Sequence, residues 1–546
     1  MAKKKRNLFI SGVLILSVAN IVIKVIGLMF KIPLTNIIGD SGMGYFNSAY
    51  TIYVWFYMIS TAGLPVAVSI MISEARAKGN VKEVNRIFRV TLVMFLIIGF
   101  VGSASMMFGS GGFAALIGND GARLSIFAIA PTLFFICISS AIRGYFQGYQ
   151  YMAPTAVSQL IEALGKLIFG ILLATYAIGC GFALTKVSAF ALLGIVTAVF
   201  LGMVYLIVMK IRFKSEEFDE DYVSKIDKNL PVRSSGKIAS TVAKIAIPVT
   251  ISSSVMSLTN LIDLSIVMRR LQSIGLSQAM SNAIWGNYSS LAVPMFNLPP
   301  VLIYPISYSL VPLLSAHIAD GKTELAKDEM KRAIRVSAII ILPMALGLSV
   351  MAEPILKLLY NKNSAVMAAP LLSILALSVF FVGMIAITNA ILQATKHERL
   401  PIFSMLAGAV VKIITSIVLI GIPSVGIYGT PIGTLLCYGT TTVINFYYIS
   451  KYVDIRPQIF PTFVKPLVAS VICCFGAYGT YLAVGLFVDV NSARAANALA
   501  TFAALGVAVV LYMVSVLLFR ALSREDMQMI PKGEKIYSIL HKIKLM

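Results

Sequence analysis

The sequence has few of the side chains that build disulfide frameworks, metal sites or soluble surfaces. Of its 546 residues, five are cysteine, three are histidine and only 12% are charged. The cysteines lie in apolar stretches without Cys-x-x-Cys spacing, so neither a disulfide framework nor a metal site is predicted. With 58% hydrophobic residues and a mean hydropathy of +0.88, the chain cannot cover several soluble domains with polar surface. We predict an all-α integral membrane protein.

Acidic residues are also scarce. Lysine and arginine total 45 against 23 for aspartate and glutamate, which gives a net charge of +22. On a soluble protein this excess would suggest a nucleic-acid partner. Here most of the basic residues fall in the loops on one side, as the positive-inside rule and an anionic inner leaflet require. We therefore predict that both termini are cytoplasmic and that no nucleic acid is bound.

Long apolar runs predict about fourteen transmembrane helices, since one span needs roughly 20 residues. The basic N-terminus resembles a signal peptide, but its apolar run has no small-residue cleavage site, so we expect the first span to be retained. The predicted spans lie near residues 8–33, 46–72, 88–109, 123–147, 155–178, 183–209, 239–266, 282–314, 333–352, 367–394, 400–421, 427–450, 463–487 and 496–520.

The two halves of the chain repeat each other at a shift of about 246 residues. Phe134-Phe135 aligns with Phe380-Phe381, Gln147 with Gln393, and Lys166 with Lys412. An even number of spans in each copy gives both copies the same topology, so a pathway between them is expected. The predicted domains are an N-lobe at 1–209, a cytoplasmic linker at 210–238, a C-lobe at 239–450, and two further helices with a cytoplasmic tail at 451–546.

Ionisable side chains inside the spans are rare and mostly cationic. A charge in the bilayer is costly, so such residues usually face a cavity or a partner. Ammonium and guanidinium groups can replace the water around phosphate oxygens, which suggests a cavity for an anionic group. The candidate cavity cations are Lys24, Lys31, Arg143, Lys166 and Lys244, of which Lys24 is the strongest candidate. The possible ion or ion-pair residues are Glu162, Asp263, Arg269, Arg270 and Lys412.

Several of these residues have a structural alternative. Lysines near the ends of a span can snorkel to the membrane surface. Arg143 has an alternative role as an interfacial anchor. Glu162 and Lys166 stand in the favourable i, i+4 order for an ion pair on one helix. Asp263 has two arginines six and seven residues later as potential partners. The residues alone leave these alternatives open.

Prolines and glycines interrupt spans 2, 4, 7 and 8, with Pro131 on span 4. Such breaks free backbone groups and permit bending. Spans 2 and 8 are counterparts in the repeat, so both are candidates for the parts that flex between inward-open and outward-open states, and a static kink is the alternative. The candidate hinge residues are Gly63, Pro65, Pro248, Pro294, Pro299 and Pro300.

Three segments carry a resemblance to a transporter family. They are Lys24-Val-Ile-Gly27, Arg143-Gly-Tyr-Phe-Gln147-Gly148 and Asn260-Leu-Ile-Asp263. They resemble the stage V sporulation protein B-like polysaccharide transporters of the multidrug/oligosaccharidyl-lipid/polysaccharide (MOP) flippase superfamily, and the branch looks like the MurJ-like lipid II flippases. The similarity runs from about residue 8 to about residue 520. It implies a MATE-like fold of two pseudo-symmetric six-helix lobes plus two C-terminal helices.

The resemblance implies a flippase in the bacterial cytoplasmic membrane. Its cargo would be lipid II or a related undecaprenyl-pyrophosphate oligosaccharide, moved to the outer leaflet by alternating access without a cofactor. Membrane lipids and cell-wall synthesis enzymes are the other implied partners. Family members carry cavity cations on helices 1, 2 and 8, but this chain has none in helix 2 before Arg76, nor between Trp285 and Pro312.

Three other functions are alternatives to lipid II transport. An exporter of another lipid-linked polysaccharide fits the same pattern. A cation-coupled multidrug exporter would need acidic groups in the cavity, and the spans hold only Glu162 and Asp263. A membrane glycan polymerase would need carboxylate or histidine chemistry on an outer loop. The predicted outer loops between spans 3 and 4 and between spans 13 and 14 carry only Asp120 and Asp489, so we do not predict an enzyme.

Overall fold

A computed structural model describes residues 2–213, 230–455, 458–490 and 493–519. These residues are helical almost throughout, with no strand among them, so the predicted all-α class is confirmed. The central part of the predicted linker, at 214–229, and the predicted tail from 520 onward lie outside the described residues. The chain divides into two compact units, Met1–Gly286 and Asn287–Met546. The predicted lobe boundaries stay a prediction.

The described residues of the first unit form ten α-helices, five of which are longer than 25 residues. A 3-10 turn at Asp120–Ala122 precedes α5. The α-helices are α1 (Ala2–Thr61), α2 (Leu64–Ala77), α3 (Val81–Phe108), α4 (Ser110–Ile117), α5 (Arg123–Ile129), α6 (Pro131–Gly148), α7 (Ala153–Gly179), α8 (Leu184–Arg212), α9 (Ser235–Ser273) and α10 (Gln278–Asn287). The long α9 packs against α1, α2 and α3, so it belongs to the first unit.

Helix α1 folds back on itself at Gly39. This residue has φ 67° and ψ −179°, a combination that glycine tolerates because it lacks a Cβ atom. In a straight helix Phe30 and Phe46 would be about 24 Å apart. Their ring centroids are instead 6.0 Å apart. The connection predicted between spans 1 and 2 is therefore a single-residue break rather than a loop.

The predicted interruption of span 2 is present. Helix α1 ends at Thr61, and α2 begins at Leu64 with Pro65 in its first turn, where the missing N–H costs nothing. A Cβ atom on Gly63 would lie 2.1 Å from the carbonyl oxygen of Ala246 on α9. Glycine is therefore required at this break by the close approach of α9.

Span 8 is broken into short pieces at its prolines. A π-helical turn at Tyr288–Ala292 leads to α11 (Val293–Phe296), a 3-10 turn at Pro299–Leu302, and α12 (Tyr304–Ala319). Pro294, Pro299 and Pro300 lie in these pieces. Pro248 lies within helix α9, and its side chain is outside the described part. The predicted interruptions of span 8 are therefore present in the structure. Bending of the chain at these positions during transport stays a prediction.

The rest of the second unit is built around one helix of 33 residues. It contains α13 (Thr323–Val350), α14 (Ala352–Leu359), α15 (Lys362–Ala394), α16 (Leu400–Ile420), α17 (Gly429–Tyr452), α18 (Lys465–Phe487) and α19 (Arg494–Leu518), with a 3-10 turn at Gly426–Tyr428 and a π-helical turn at Phe460–Val464. Helix α15 packs against α12, α13, α14 and α17. The last two helices pack on each other, and α18 also contacts α13.

Eleven helical stretches of the described residues are long and apolar enough to cross a membrane. Predicted spans 1 and 2 fall in one of them, Val22–Ala77, because α1 continues through its fold at Gly39. Predicted spans 7 and 12 are the helices α9 and α17, which are not among the eleven. Helix α17 carries several buried polar residues, among them Thr434, Thr441 and Asn445. The chain is a multi-pass membrane protein, and the count of fourteen stays a prediction.

Small residues bring α7 and α8 together. A Cβ atom on Gly194 would lie 2.4 Å from the Cα of Gly170, and one on Gly165 would lie 2.8 Å from the Cβ of Ala198. Inside a bilayer, helices associate through such close van der Waals packing rather than through the hydrophobic effect. The contact fixes the position of α7, which carries three residues of the site described below.

We expect Gly194→Val to destabilise the first unit. The added side chain meets backbone atoms of α7, so the two helices must separate, at a cost of about 1–3 kcal/mol. Thermal unfolding of the purified chain in detergent measures the effect. The matched control is Gly179→Val at the end of α7, where a Cβ atom meets nothing within 4 Å. Equal melting temperatures for the two variants would contradict the packing argument.

Candidate functional site

An ion pair lies inside the first unit, between α6 and α7. Arg143 donates from Nη2 to Glu162 Oε1 at 2.6 Å and from Nε to Ser158 Oγ at 3.1 Å. The side chains of Arg143 and Glu162 are only 8% and 16% exposed. The planar guanidinium suits this double contact because its donors point in fixed directions. Glu162 therefore pairs with Arg143 on another helix, and not with Lys166 on its own helix.

A glycine on α8 makes room for the carboxylate of this pair. A Cβ atom on Gly202 would lie 2.7 Å from Glu162 Cγ and 2.8 Å from Oε1. Any larger residue would push the carboxylate away from Arg143. The sequence does not mark Gly202 as part of a site, because a lone glycine in an apolar helix carries no signal of its own.

Lys166 lies over two aromatic rings. Its Nζ is 4.7 Å from the ring centroid of Tyr50 and 5.3 Å from that of Phe30. Both distances are in the range of a cation–π interaction. Lys166 also stands one helical turn after Glu162, so both side chains lie on the same face of α7. The fold of α1 at Gly39 is what brings the rings of its two arms to one ammonium group.

A second ammonium group is close to the first. Lys31 follows Phe30 on the first arm of α1, is half-buried, and lies within electrostatic range of Lys166. Two cations held together away from bulk water repel each other, and an anion placed near both relieves the repulsion. We name Phe30, Lys31, Tyr50 and Lys166 the basic cluster. Its composition favours an anionic ligand.

Four aromatic rings form a ladder along the second arm of α1. Successive centroids of Phe46, Tyr50, Tyr53 and Tyr57 are 6.0, 5.7 and 6.0 Å apart. Tyr53 and Tyr57 are within electrostatic range of Glu162, so the ladder connects the basic cluster to the ion pair. The four residues are spaced three or four apart, so they form one stripe along the helix that is visible in the sequence. The charged residues of the spans give no indication of this stripe.

Two of the predicted cavity cations lie at exposed positions. Lys24 is exposed on α1, seven residues before Lys31 and therefore on the same helix face. Lys244 is exposed on α9. The structure thus brings together Lys31, Arg143 and Lys166 in the interior of the first unit. A role for Lys24 and Lys244 in binding stays a prediction.

The predicted ion residues of α9 differ in burial and in their contacts. Arg269 donates from Nε to the carbonyl oxygen of Leu116 at 3.0 Å and from Nη2 to that of Ala115 at 3.3 Å. It therefore caps the C-terminal end of α4, where a cation is favourable. Arg270 is half-buried near the end of α9, and Asp263 is buried about two turns earlier. Neutralisation of Asp263 by these arginines stays a prediction.

The second unit holds Lys412 and a network of uncharged side chains. Lys412 lies on α16 and is 9% exposed. Asn445 on α17 accepts from Ser404 Oγ at 2.6 Å, and it donates to Asn389 Oδ1 at 2.9 Å and to Thr388 Oγ1 at 3.0 Å. This network joins polar groups of three helices without any charge.

Two family models match the chain. The model described as "Polysaccharide biosynthesis protein" matches residues 9–317, and the MatE model matches residues 248–418. Two similar proteins come from Bacillus subtilis (strain 168). Stage V sporulation protein B is 25% identical over 528 residues, which cover 96% of this chain and 98% of that protein. Lipid II flippase MurJ is 24% identical over 518 residues, which cover 92% and 94%.

Solved structures show the same fold. A structure of lipid II flippase MurJ in an inward closed conformation has a TM-score of 0.67 at 15% identity and covers 93% of this chain and 98% of that chain. An inward-facing multidrug resistance MATE family transporter of the MOP superfamily has a TM-score of 0.60 at 14% identity and covers 80% and 98%. The predicted superfamily and fold are therefore confirmed.

Proposed function

Because this chain belongs to the polysaccharide biosynthesis protein family of the MOP superfamily, we propose that it is a flippase for a lipid-linked saccharide. The cargo is lipid II or a related undecaprenyl-pyrophosphate oligosaccharide, carried from the inner to the outer leaflet of the bacterial cytoplasmic membrane. Transport proceeds by alternating access, and both termini lie in the cytoplasm. The broken helices at Gly63 and at Pro294 are the parts that bend.

The basic cluster is the observation that carries the proposal. Lys31 and Lys166 present two ammonium groups inside a membrane unit, next to the rings of Phe30 and Tyr50. A diphosphate has two charges and several acceptor oxygens, so it can interact with both ammonium groups at once. The aromatic ladder offers apolar faces beside it. No chemical step is needed, so the chain acts as a transporter and not as an enzyme.

Lys24 is the cation that the lipid meets first. It shares a helix face with Lys31 and is exposed, so it can hold the anionic group before that group reaches the interior. An inside-negative membrane potential assists outward movement of the head group by about 2.3 kcal/mol per charge per 100 mV. We therefore expect the rate of transport to rise with the membrane potential.

Functional replacement tests the cargo and Lys24 together. A bacterial host is depleted of its lipid II flippase, this chain is expressed, and the lipid II accessible at the outer face is measured. We expect accessibility to return with the wild type and with Lys24→Arg, and to fall several-fold with Lys24→Ala, because only the charge is needed. Unchanged accessibility with Lys24→Ala would refute the role of Lys24. A wild-type chain that reaches the membrane without restoring accessibility would refute lipid II as cargo.

Multidrug export is the second candidate, favoured by the MatE match at residues 248–418. A cationic drug requires an available carboxylate, and Glu162 is already held by Arg143. The charge of the first unit therefore favours the anionic cargo. Resistance of a drug-sensitive host to cationic dyes is the corresponding test. Resistance without any lipid-linked saccharide transport would support export and refute the flippase.

A further inference from the structure

The turns that follow α6 and α15 share an uncommon backbone conformation. Gln150 has φ 59° and Lys396 has φ 63°, in the left-handed region that residues with a Cβ atom rarely adopt. The two residues are separated by the 246-residue shift of the internal repeat. In both turns the next residue donates its backbone N–H to a carbonyl oxygen five residues earlier. The two turns are therefore structural equivalents within their own units.

Each turn places a ring against the end of a neighbouring helix. In the first unit the ring of Tyr151 stacks on that of Phe213, directly after α8, with centroids 6.0 Å apart and an interplanar angle of 20°. In the second unit the ring of His397 lies against that of Tyr452, the last residue of α17, at 5.2 Å and 31°. An imidazole thus takes the place of a phenol.

Helix contacts give the same correspondence between α8 and α17. A Cβ atom on Gly194 of α8 would lie 2.4 Å from Gly170, and one on Gly433 of α17 would lie 2.7 Å from Ser416. The contacted residues are 246 apart in sequence, whereas the two glycines are 239 apart. The same shift of 239 residues relates the ring partners at the ends of α8 and α17. The two ring pairs are therefore equivalent.

The two turns differ in charge. The first unit has the neutral sequence Gln150-Tyr-Met-Ala153, and the second has Lys396-His-Glu-Arg399. Lys451 adds an ammonium group, whose Nζ is 5.3 Å from the ring centroid of Tyr452 and 5.8 Å from that of Tyr447. The turn of the second unit is therefore cationic where that of the first is neutral.

Acidic residues next to this turn do not cancel its charge. Asp454 follows the end of α17, and its carboxylate lies 3.7 Å from Nζ of Lys327 on α13. Glu398 is the single acidic residue in the sequence of the turn. The two basic residues of the turn and Lys451 outnumber it, so this end of the second unit attracts anions.

An exposed apolar stripe on α17 leads to these cations. Val443, Tyr447 and Lys451 are spaced four residues apart, so they lie on one face of the helix. Val443 is 67% exposed and Tyr447 is 58% exposed. Helices α15 and α16 are long and apolar enough to cross a membrane, so the turn between them lies at a membrane surface. An aromatic ring between apolar and basic side chains is typical of that surface.

We infer that this face of the second unit binds an anionic phospholipid. We name Val443, Tyr447, Lys451 and Lys396 the lipid face. The phosphate of the lipid lies beside Lys451 and the cationic turn, because its oxygens accept hydrogen bonds from ammonium groups. An acyl chain covers Tyr447 and Val443, which a small soluble anion would leave uncovered. A phospholipid is not the proposed cargo, so the inference does not depend on the proposed function.

Fluorescence quenching by brominated lipids tests the inference at the lipid face itself. The chain has two tryptophans, Trp55 and Trp285, and both are replaced by phenylalanine. Tyr447→Trp then places a single fluorophore on the lipid face. The full chain is reconstituted in phosphatidylcholine vesicles with increasing fractions of brominated phosphatidylglycerol or brominated phosphatidylcholine. We expect half-maximal quenching at about a tenfold lower fraction of the anionic lipid.

Two charge-removing variants locate the preference. Lys451→Gln should reduce it to about twofold, since one basic residue at an anionic lipid surface contributes about a fivefold effect. Lys396→Gln should also reduce it, and the turn should keep its conformation because Gln150 adopts it in the first unit. Lys322→Gln is the matched control. It removes the same charge from another turn of the second unit and should leave the preference unchanged.

A second tryptophan position separates a binding site from general attraction to basic protein. Val208 on α8 is the counterpart of Tyr447, and it precedes Arg212 by four residues, but the turn beside it is neutral. With Val208→Trp as the fluorophore we expect at most about a threefold preference. Equal preferences at the two positions, or no loss with Lys451→Gln, would overturn the inference.

Thermal stability provides the measurement if the tryptophan background does not fold. Phosphatidylglycerol should then raise the melting temperature of the wild type in detergent more than phosphatidylcholine does, and Lys451→Gln should remove the difference. Equal stabilisation by the two lipids would overturn the inference. No lipid-linked saccharide is present in either assay, so a negative result leaves the proposed function untouched.

Discussion

Lys166→Gln is expected to slow the transfer of a polyprenyl-diphosphate saccharide by about 100-fold or more. Lys166 is one of the two ammonium groups of the basic cluster, and Tyr50 and Phe30 hold it in place. A charge about 5 Å from a diphosphate, at an effective dielectric constant near 20, contributes several kcal/mol for each unit of ligand charge. The initial rate of lipid transfer across liposome membranes containing the purified chain measures the loss.

Lys186→Gln is the matched control for this prediction. Lys186 also interacts with an aromatic ring, at 5.5 Å from the centroid of Phe182, but it lies at the exposed start of α8. Its removal should leave the transfer rate within about twofold of wild type, because an exposed charge is screened by water and salt. Equal loss in both variants would mean that total positive charge, and not the basic cluster, governs transport.

Arg143→Ala is expected to lower the free energy of unfolding by about 3–5 kcal/mol. The substitution leaves the Glu162 carboxylate buried without its partner and also removes the hydrogen bond to Ser158. The double variant Arg143→Ala/Glu162→Ala removes both charges and should recover much of this loss. Denaturation of the purified chain in detergent, followed by circular dichroism, provides the values.

A second ion pair of the same length serves as the control. Lys357 and Glu353 are also 2.6 Å apart, but Glu353 is 49% exposed. Because its carboxylate stays hydrated, Lys357→Ala should cost no more than about 1 kcal/mol. A similar cost for Arg143→Ala would contradict the view that burial makes the first pair sensitive to the loss of one partner.

Much of the fold followed from hydropathy alone. Apolar runs of membrane length located the helices, since the bilayer requires every backbone group to be satisfied within a span. The details of α1 did not follow. Its two arms join at Gly39 without a loop, and the sequence marks this break with only one residue. Hydropathy is a weaker guide to α9 and α17, because polar residues lower the mean hydropathy of these two helices.

The members of the site were predictable, but their partners were not. The cost of charge in a bilayer singles out Lys31, Arg143, Glu162 and Lys166 from the sequence alone. Local spacing suggested that Glu162 pairs with Lys166, since the two are one helical turn apart. Instead, Glu162 pairs with Arg143 across two helices, because a guanidinium reaches both Ser158 and the carboxylate. Such a contact depends on how helices pack, which spacing along one helix does not encode.

A structure of the chain with bound polyprenyl-diphosphate-N-acetylglucosamine tests the central claim most directly. We predict that the diphosphate lies in the first unit, with its oxygens within about 3 Å of the Nζ atoms of Lys31 and Lys166. The Arg143–Glu162 ion pair should remain intact beside it. A diphosphate bound elsewhere, with Lys166 still over the ring of Tyr50, would contradict the assignment of the basic cluster as the anion site.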